Sequence, residues 1–483
     1  MTSTLKSILL GSAASLIATA AVQAADLPVK KAAAVQYVKV CTAYGSGFYE
    51  LPGTDICIRH FGSVKFNFGF QDERNSFNGE DFDTEAGASN TTGWQWTIRP
   101  GWDFRSPTEF GTLRTVVQMR ADHRNGVFEN DNPVLTGAQR VNNMIHRGYI
   151  EWAGFILGKA GSQFPYWDQD DVVSAIGGDP KTSTMQLTYV FAFPGGMKAT
   201  IGLEDSTAWA SGGGDFVDAQ TTTAFDINLG PQRRYDIVGS LSTEQPWGSA
   251  KVAGAIHFTQ TNADVEPFVP GPGPSTGRDG PETTEINTGW GLLAGITFKM
   301  PWLGENDQLL LQASACDGAI AFCGISSGAS ASSTSFERAG QFLNGLQRGD
   351  VDSYIVSAGP GGTWDFENVS GVALAAQLRH YWAPLWRSNL MASYTWIDVP
   401  DVASTILWAN GGRVDAEVFD IAANLIWGRS RRTLEIGVEV MYKTLKNDPM
   451  PATLFPSPPD PRYPFVDRNP DGWAVVGFVQ RAW

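Results

Sequence analysis

The stretch Leu434-Glu435-Ile436-Gly437-Val438-Glu439-Val440-Met441-Tyr442 decides the fold. Leu434, Ile436, Val438, Val440 and Tyr442 are apolar, and the residues between them mostly are not. A period of two over this length predicts a strand with one apolar and one wetter face. The pattern recurs along the chain, and the connections alternate between long polar segments and tight turns. That alternation arises when the two ends of a set of hairpins face different surroundings. A transmembrane β-barrel, with long loops outside and short turns in the periplasm, combines both features.

Working outward, sixteen strands are predicted, from Arg59–Phe70, Trp94–Phe104 and Leu113–Asp122 to Val414–Trp427, Leu434–Lys443 and Trp473–Trp483. An even number suits a closed all-β antiparallel barrel with both termini on one side. The short connections include Pro194-Gly195-Gly196, Glu244–Gly248, Ala383–Arg387 and Gly428–Thr433. The long ones include Gln71–Gly93, Ser206–Gln232, Gln260–Glu285, Cys316–Gly371 and Leu445–Gly472. Within Cys316–Gly371, Tyr354–Ser357 is a further strand candidate that would change the count.

Met1 to Ala24 reads as a secretory signal peptide: Lys6 supplies the positive region, Ile8 to Ala21 the apolar core, and Val22-Gln23-Ala24 a small-residue cleavage site. Residues 25–57 are then a periplasmic N-terminal segment, and 58–483 the barrel. No other apolar run approaches the roughly 20 residues of a membrane-spanning helix. The mean hydropathy of -0.16 looks soluble, as it does when only alternate strand residues meet lipid. Fifty acidic against 35 basic residues argue against a nucleic-acid partner.

An exported chain with locally paired cysteines suggests two disulfides, Cys41–Cys57 and Cys316–Cys323. Free thiols or a zinc site are the alternatives. There is no CxxC spacing, and His60, His123, His146, His257 and His380 form no local ligand pair. No metal or cofactor is expected. Gly324-Ile325-Ser326-Ser327-Gly328 matches the nucleophile-elbow pattern but lies in a Ser/Ala/Gly-rich loop rather than between a strand and a helix. Nothing signals an enzyme.

A midplane Arg or Lys facing lipid costs roughly 2–4 kcal/mol, so charge-bearing alternate sets should face the lumen. In Trp94–Phe104 that set is Gln95, Thr97, Arg99, Gly101 and Asp103. The lipid-facing set is Trp94, Trp96, Ile98, Pro100, Trp102 and Phe104, with aromatics at both ends, as two membrane interfaces select. Trp94, Trp96, Trp102 and Trp483 are the candidate interface aromatics. Pro100 lacks a ladder donor and calls for a bulge or a subunit contact. Arg114 and Arg120 join Arg99 on the lumen side. The third long connection in chain order, between Gln163 and Thr184, carries Asp168, Asp170, Asp171 and Asp179, with Gly177-Gly178 allowing a bend. Folded inward, its carboxylates would face the arginines across water as a charged eyelet. Screening acts over about 8 Å, so both walls of a narrow eyelet would be felt. An ordinary solvated acidic loop is the alternative.

Tyr37-Val38-Lys39-Val40-Cys41 through Phe48-Tyr49, with Pro52-Gly53-Thr54-Asp55-Ile56-Cys57, resembles the N-terminal signature of the alphaproteobacterial general porin family. Arg147-Gly148-Tyr149-Ile150-Glu151-Trp152-Ala153-Gly154-Phe155, running into Gly158-Lys159, resembles its strand pair before the third loop. His380-Tyr381-Trp382-Ala383-Pro384-Leu385-Trp386-Arg387-Ser388 resembles a late hairpin. The resemblance implies a sixteen-stranded, homotrimeric channel in the lipids of the outer membrane, with the third loop folded into the pore. Small hydrophilic solutes and ions would cross it by passive diffusion. It also implies recognition of the C-terminal strand, ending at Trp483, by the outer-membrane barrel assembly machinery. A substrate-specific outer-membrane channel, or a surface receptor or adhesin barrel using Cys316–Gly371, are the other readings.

Overall fold

The computed structural model describes residues 39–71, 91–128, 140–167, 180, 183–210, 215–218, 223–226, 233–260, 286–325, 352–357, 364–401, 415–428, 434–447 and 471–483. The expected signal peptide lies outside them. Sixteen long strands form the wall: β1 Cys57–Gln71, β2 Thr92–Thr108, β3 Gly111–Arg124, β4 Arg140–Trp152, β5 Phe155–Gly161, β6 Ser183–Phe193, β7 Met197–Glu204 and β8 Asp236–Gln245. They continue as β9 Gly248–Gln260, β10 Ile286–Lys299, β11 Gln308–Asp317, β12 Ser370–Ala383, β13 Trp386–Asp398, β14 Ala416–Trp427, β15 Leu434–Asn447 and β16 Asp471–Ala482.

Each strand pairs antiparallel with the next, and β16 returns to β1, with Ser63 opposite Ala482 and Gln71 opposite Ala474. The ring therefore closes without an edge, which satisfies the strand backbone in hydrocarbon. Beyond the β16 ladder, Trp483 exchanges backbone hydrogen bonds with Gly62, at 3.0 and 3.2 Å.

The alternation read from β15 sets its orientation. Leu434, Ile436, Val438, Val440 and Tyr442 are exposed on the outer face, while Glu435, Glu439 and Met441 are buried inside. Every expected wall strand is present, and most run past their expected ends: β4, expected as Ile145–Ala153, starts at Arg140, β2 runs on to Thr108 and β15 to Asn447. The start that falls furthest behind its pattern is that of β8: Arg233–Ser242 is expected, and β8 begins at Asp236. Its partner β7 ends at Glu204, opposite Asp236, so the three preceding residues have no ladder to join.

Two irregularities sit around Pro100. The β2–β3 ladder pairs Ile98 with Ala121 and Gly101 with Gln118 but has no pairs at Arg99 and Pro100, where proline has no N–H to give. One strand further on, β4 carries an extra residue, His146, between Ile145 (opposite Met119) and Arg147 (opposite Gln118), a β-bulge.

Tyr354–Ser357 is indeed a strand, Ser353–Ser357, but it leaves the barrel count unchanged. It pairs antiparallel with Trp364–Asn368 and parallel with Asp215–Asp218, which in turn pairs with Thr223–Asp226. This separate four-stranded sheet joins the fourth and sixth long connections. Disulfides join Cys41 to Cys57 and Cys316 to Cys323. The first closes the segment that carries the short strand Tyr49–Glu50, which adds to the lower end of β1.

Candidate functional site

The wall of β2 and β3 presents its charged set to the lumen. Arg99 is half-buried there, and Arg114 and Arg120 lie on the matching face of β3. The arginines do not form a bare cationic stripe. Near the periplasmic turn, Asp103 is fully buried among Arg59 at 3.4 Å, Arg105 at 2.9 Å and Arg114 at 3.2 Å. Arg114 also donates to Glu151 at 2.9 Å. Higher up, Arg120 pairs with Asp122 at 2.6 Å, and Thr97 donates to the other carboxylate oxygen at 2.6 Å. Asp168, Asp170, Asp171 and Asp179 lie outside the described residues.

The disulfide-closed N-terminal segment docks at this lower end. Phe48, 1% exposed, lies between the guanidiniums of Arg59 and Arg105, 4.9 and 4.8 Å from its ring centre. The same arginines that hold Asp103 thus also clasp an aromatic ring, a favourable cation–π arrangement.

The third long connection leaves β5 and enters the bore. The hydroxyl of Ser162 and the N–H of Gln163 donate to Glu204 on β7, at 2.9 and 3.2 Å. Phe164 is buried against Trp209 and Phe322. Lys251 on β9 donates to the Pro165 carbonyl at 2.7 Å. The Tyr166 hydroxyl reaches Ser249 and Thr297 on β9 and β10 at 2.7–3.0 Å, and the Trp167 N–H donates to Gln312 on β11 at 3.1 Å.

Dimensions decide where this arm runs. Strands ~4.8 Å apart and tilted ~40° make the wall from β5 to β11 roughly 35–40 Å long and the barrel roughly 30 Å wide. Six residues span at most about 20 Å. The arm Ser162–Trp167 is too short to follow the wall and must cut inside it. Trp167 then packs with Val127 and Phe128 of the second long connection and with Ala375 and Met391 of the far wall, a buried cluster inside the barrel.

The opposite wall carries charges that spacing alone does not pair. Arg387 donates to Glu435 at 2.8 Å, Lys443 to Asp420 at 3.0 Å, and Asn424 to Glu439 at 3.0 Å. His257, which has no neighbour of its kind in sequence, is wholly buried between Asp236 at 2.7 Å and Asp352 at 3.4 Å. Asp352 belongs to the sixth long connection, so this group fastens that connection to β8 and β9. The only signal available beforehand was the inward parity of Glu435, Glu439 and His257.

Outside, Trp94, Trp96 and Trp483 are exposed and Trp102 stands edge-on to His60.

A closed sixteen-stranded antiparallel barrel with a loop held in its bore and charged side chains lining it defines the class of outer-membrane channel barrels. Residues 26–450 match the family described as the Porin subfamily, and the chain belongs to that family. It is 33% identical over 273 residues to porin Omp2a of Brucella canis and 31% identical over 282 residues to porin Omp2b of Brucella suis. Each alignment covers 53% of this chain and 66%, just under two thirds, of the relative. Among solved structures, the outer membrane channel DcaP of Acinetobacter baumannii has the same fold, with a TM-score of 0.56, 13% identity, and coverage of 90% of this chain and 99% of that one.

Proposed function

We propose that the chain forms a water-filled channel through which small hydrophilic solutes and ions diffuse down their gradients, without a chemical step. The observation that carries this reading is the arm Ser162–Trp167, held inside the bore by hydrogen bonds to β7, β9, β10 and β11. A loop so placed narrows a barrel that is otherwise roughly 30 Å wide. The paired charges on both walls support passage rather than capture. Each guanidinium or ammonium in a pair offers a permeating ion a field that its carboxylate partner partly cancels, and conduction requires sites weak enough to leave.

In the same reading, Asp168, Asp170, Asp171 and Asp179 extend the arm into an acidic rim facing Arg99 and its neighbours. Trp94, Trp96, Trp102 and Trp483 sit at headgroup level. The mature chain begins after Ala24, assembles as a homotrimer in the outer-membrane lipids, and is delivered by the barrel assembly machinery through its C-terminal strand. The test is the conductance of refolded protein in planar bilayers. Water-filled single-channel steps, inserted in threes, are expected; a folded protein that never conducts would turn the reading toward a receptor or adhesin.

A further inference from the structure

Three long connections meet at one point inside the bore. Phe164 of the third, Trp209 of the fourth and Phe322 of the sixth are buried against one another. The Phe322 ring lies flat on Trp209, 3.9 Å between centres, and stands edge-on to Phe164 at 4.8 Å. We propose that Phe322 is a positioning residue for solute size. It wedges the root of the third-loop arm, so that the sixth connection helps to set the largest solute the pore admits.

The wedge is rigid on its own side. Phe322 belongs to the short turn Ile320–Cys323, and the Cys316–Cys323 disulfide ties that turn to the end of β11. The Ile320 N–H donates to the Asp352 carboxylate at 3.0 Å, and the Ser314 hydroxyl donates to the Cys323 carbonyl at 3.3 Å. The wall is shaped to receive it. A Cβ on Gly291 of β10 would stand 2.6 Å from that of Phe322, and one on Gly289 would collide with the Gly318 carbonyl. Further toward the periplasm on the same inner face, Gly295 leaves room for Tyr166 in the same way. The turn and the arm are thus seated side by side on one strand.

On the other side the wedge meets the arm. Trp209 donates its Nε1–H to Glu204 at 2.8 Å, the carboxylate that also takes the Ser162 hydroxyl and the Gln163 N–H. The next residue is Phe164, whose ring tip lies 3.6 Å from where a Gly291 Cβ would be. Hydrogen bonds hold the arm at Gln163 and from Pro165 to Trp167, and at Phe164 rings hold the side chain. An edge-to-face pair is attractive beyond the area it buries. Removing one ring from a close-packed interior leaves a void into which its neighbours relax. Without Phe322, Phe164 sinks into the vacated space over Gly291, draws the arm toward β10 and widens the passage beside it. The rings carry no charge, so they govern the size of a solute.

The size claim rests on the channel reading above; the wedge itself does not, and two assays separate them. Hydrogen exchange on the full chain in detergent reads the wedge. Phe322→Ala should speed exchange at the Gln163 and Trp167 amides about tenfold. Liposome swelling with graded neutral sugars reads the pore. The same variant should admit sugars that the wild type excludes, with a higher single-channel conductance. Phe322→Met restores the bulk and should return both readings to near the wild type. A merely structural role would lower the unfolding temperature and move neither reading. Phe164→Ala should also widen the pore, and the double variant scarcely more than either change alone. Should Phe322→Ala fail to fold, Phe322→Val serves instead, since it keeps part of the burial without reaching Phe164. Unchanged exchange overturns the wedge whether or not the protein conducts. Faster exchange with an unchanged sugar limit in a conducting protein overturns the size claim. A wild type that folds but never conducts ends the channel reading and the size claim with it, while the exchange result still judges the wedge.

Discussion

Gly295 offers the sharpest handle on the arm that narrows the bore. Its Cα lies beneath the Tyr166 ring, and a Cβ built there would stand 2.1 Å from the ring. Carbon atoms in contact sit about 3.5–4.0 Å apart, so Gly295→Ala must displace the ring by roughly 1.5 Å. That shift carries the Tyr166 hydroxyl, now 2.7–3.0 Å from Ser249 and Thr297, out of hydrogen-bond range. The hydroxyl has one proton to give, so the contacts count as about two net bonds, each worth about 1 kcal/mol. Losing about 2 kcal/mol changes the ratio of anchored to detached arm by about thirtyfold. Tyr166→Phe removes the same bonds without the clash, so the double variant should cost scarcely more than either change alone. Single-channel conductance should rise in all three, and liposome swelling should admit larger neutral sugars. An unchanged conductance and exclusion limit in Gly295→Ala would refute the anchoring argument; strict additivity would refute the shared cause.

Asp103→Asn leaves Arg59, Arg105 and Arg114 gathered without their common carboxylate. A loss of about 2–3 kcal/mol in barrel stability is expected, read as a lower temperature of conversion from the folded to the slow-migrating unfolded band on gels. Reducing the Cys41–Cys57 bond reopens a 16-residue separation and should weaken the docked Phe48 segment by up to about 3 kcal/mol; limited proteolysis should then cut near the N-terminus while conductance stays the same. Replacing Asp168, Asp170 and Asp171 together by Asn should move the reversal potential in a salt gradient toward anion preference, and no movement would remove them from the eyelet.

The wall was legible because a barrel strand announces itself by parity, which one sequence contains in full. Leu434–Tyr442 carries its own inside and outside, and even Pro100 was legible as a fault in the ladder. Partners were not. Ser353–Ser357 has the local character of a strand, yet nothing local says that it pairs with Asp215–Asp218 rather than with the barrel. Parity puts Arg114 and Arg120 on the face opposite the exposed Met119, but a face says nothing of Asp103, Glu151 or Asp122 at their ends. Glu435 meets Arg387 only because β14 lies between β13 and β15 at a fixed register. His257 looked solitary because Asp236 and Asp352 arrive from a neighbouring strand and a distant loop.

The seam between β1 and β16 has a bearing on assembly. Ser63 and Ala482 are among the most distant partners in the sheet, and contacts of such long sequence separation form late. Until β16 arrives, the growing sheet exposes two unpaired edges, which invite pairing with other chains. At Gly62 a Cβ would lie 2.6 Å from the Trp483 ring and 2.7 Å from the Arg99 carbonyl. Closure thus needs a bare backbone at the place where the two ends of the barrel meet. A chain stalled before that point, however well its earlier hairpins are formed, keeps both edges on offer and remains a substrate for chaperones and proteases rather than a finished wall.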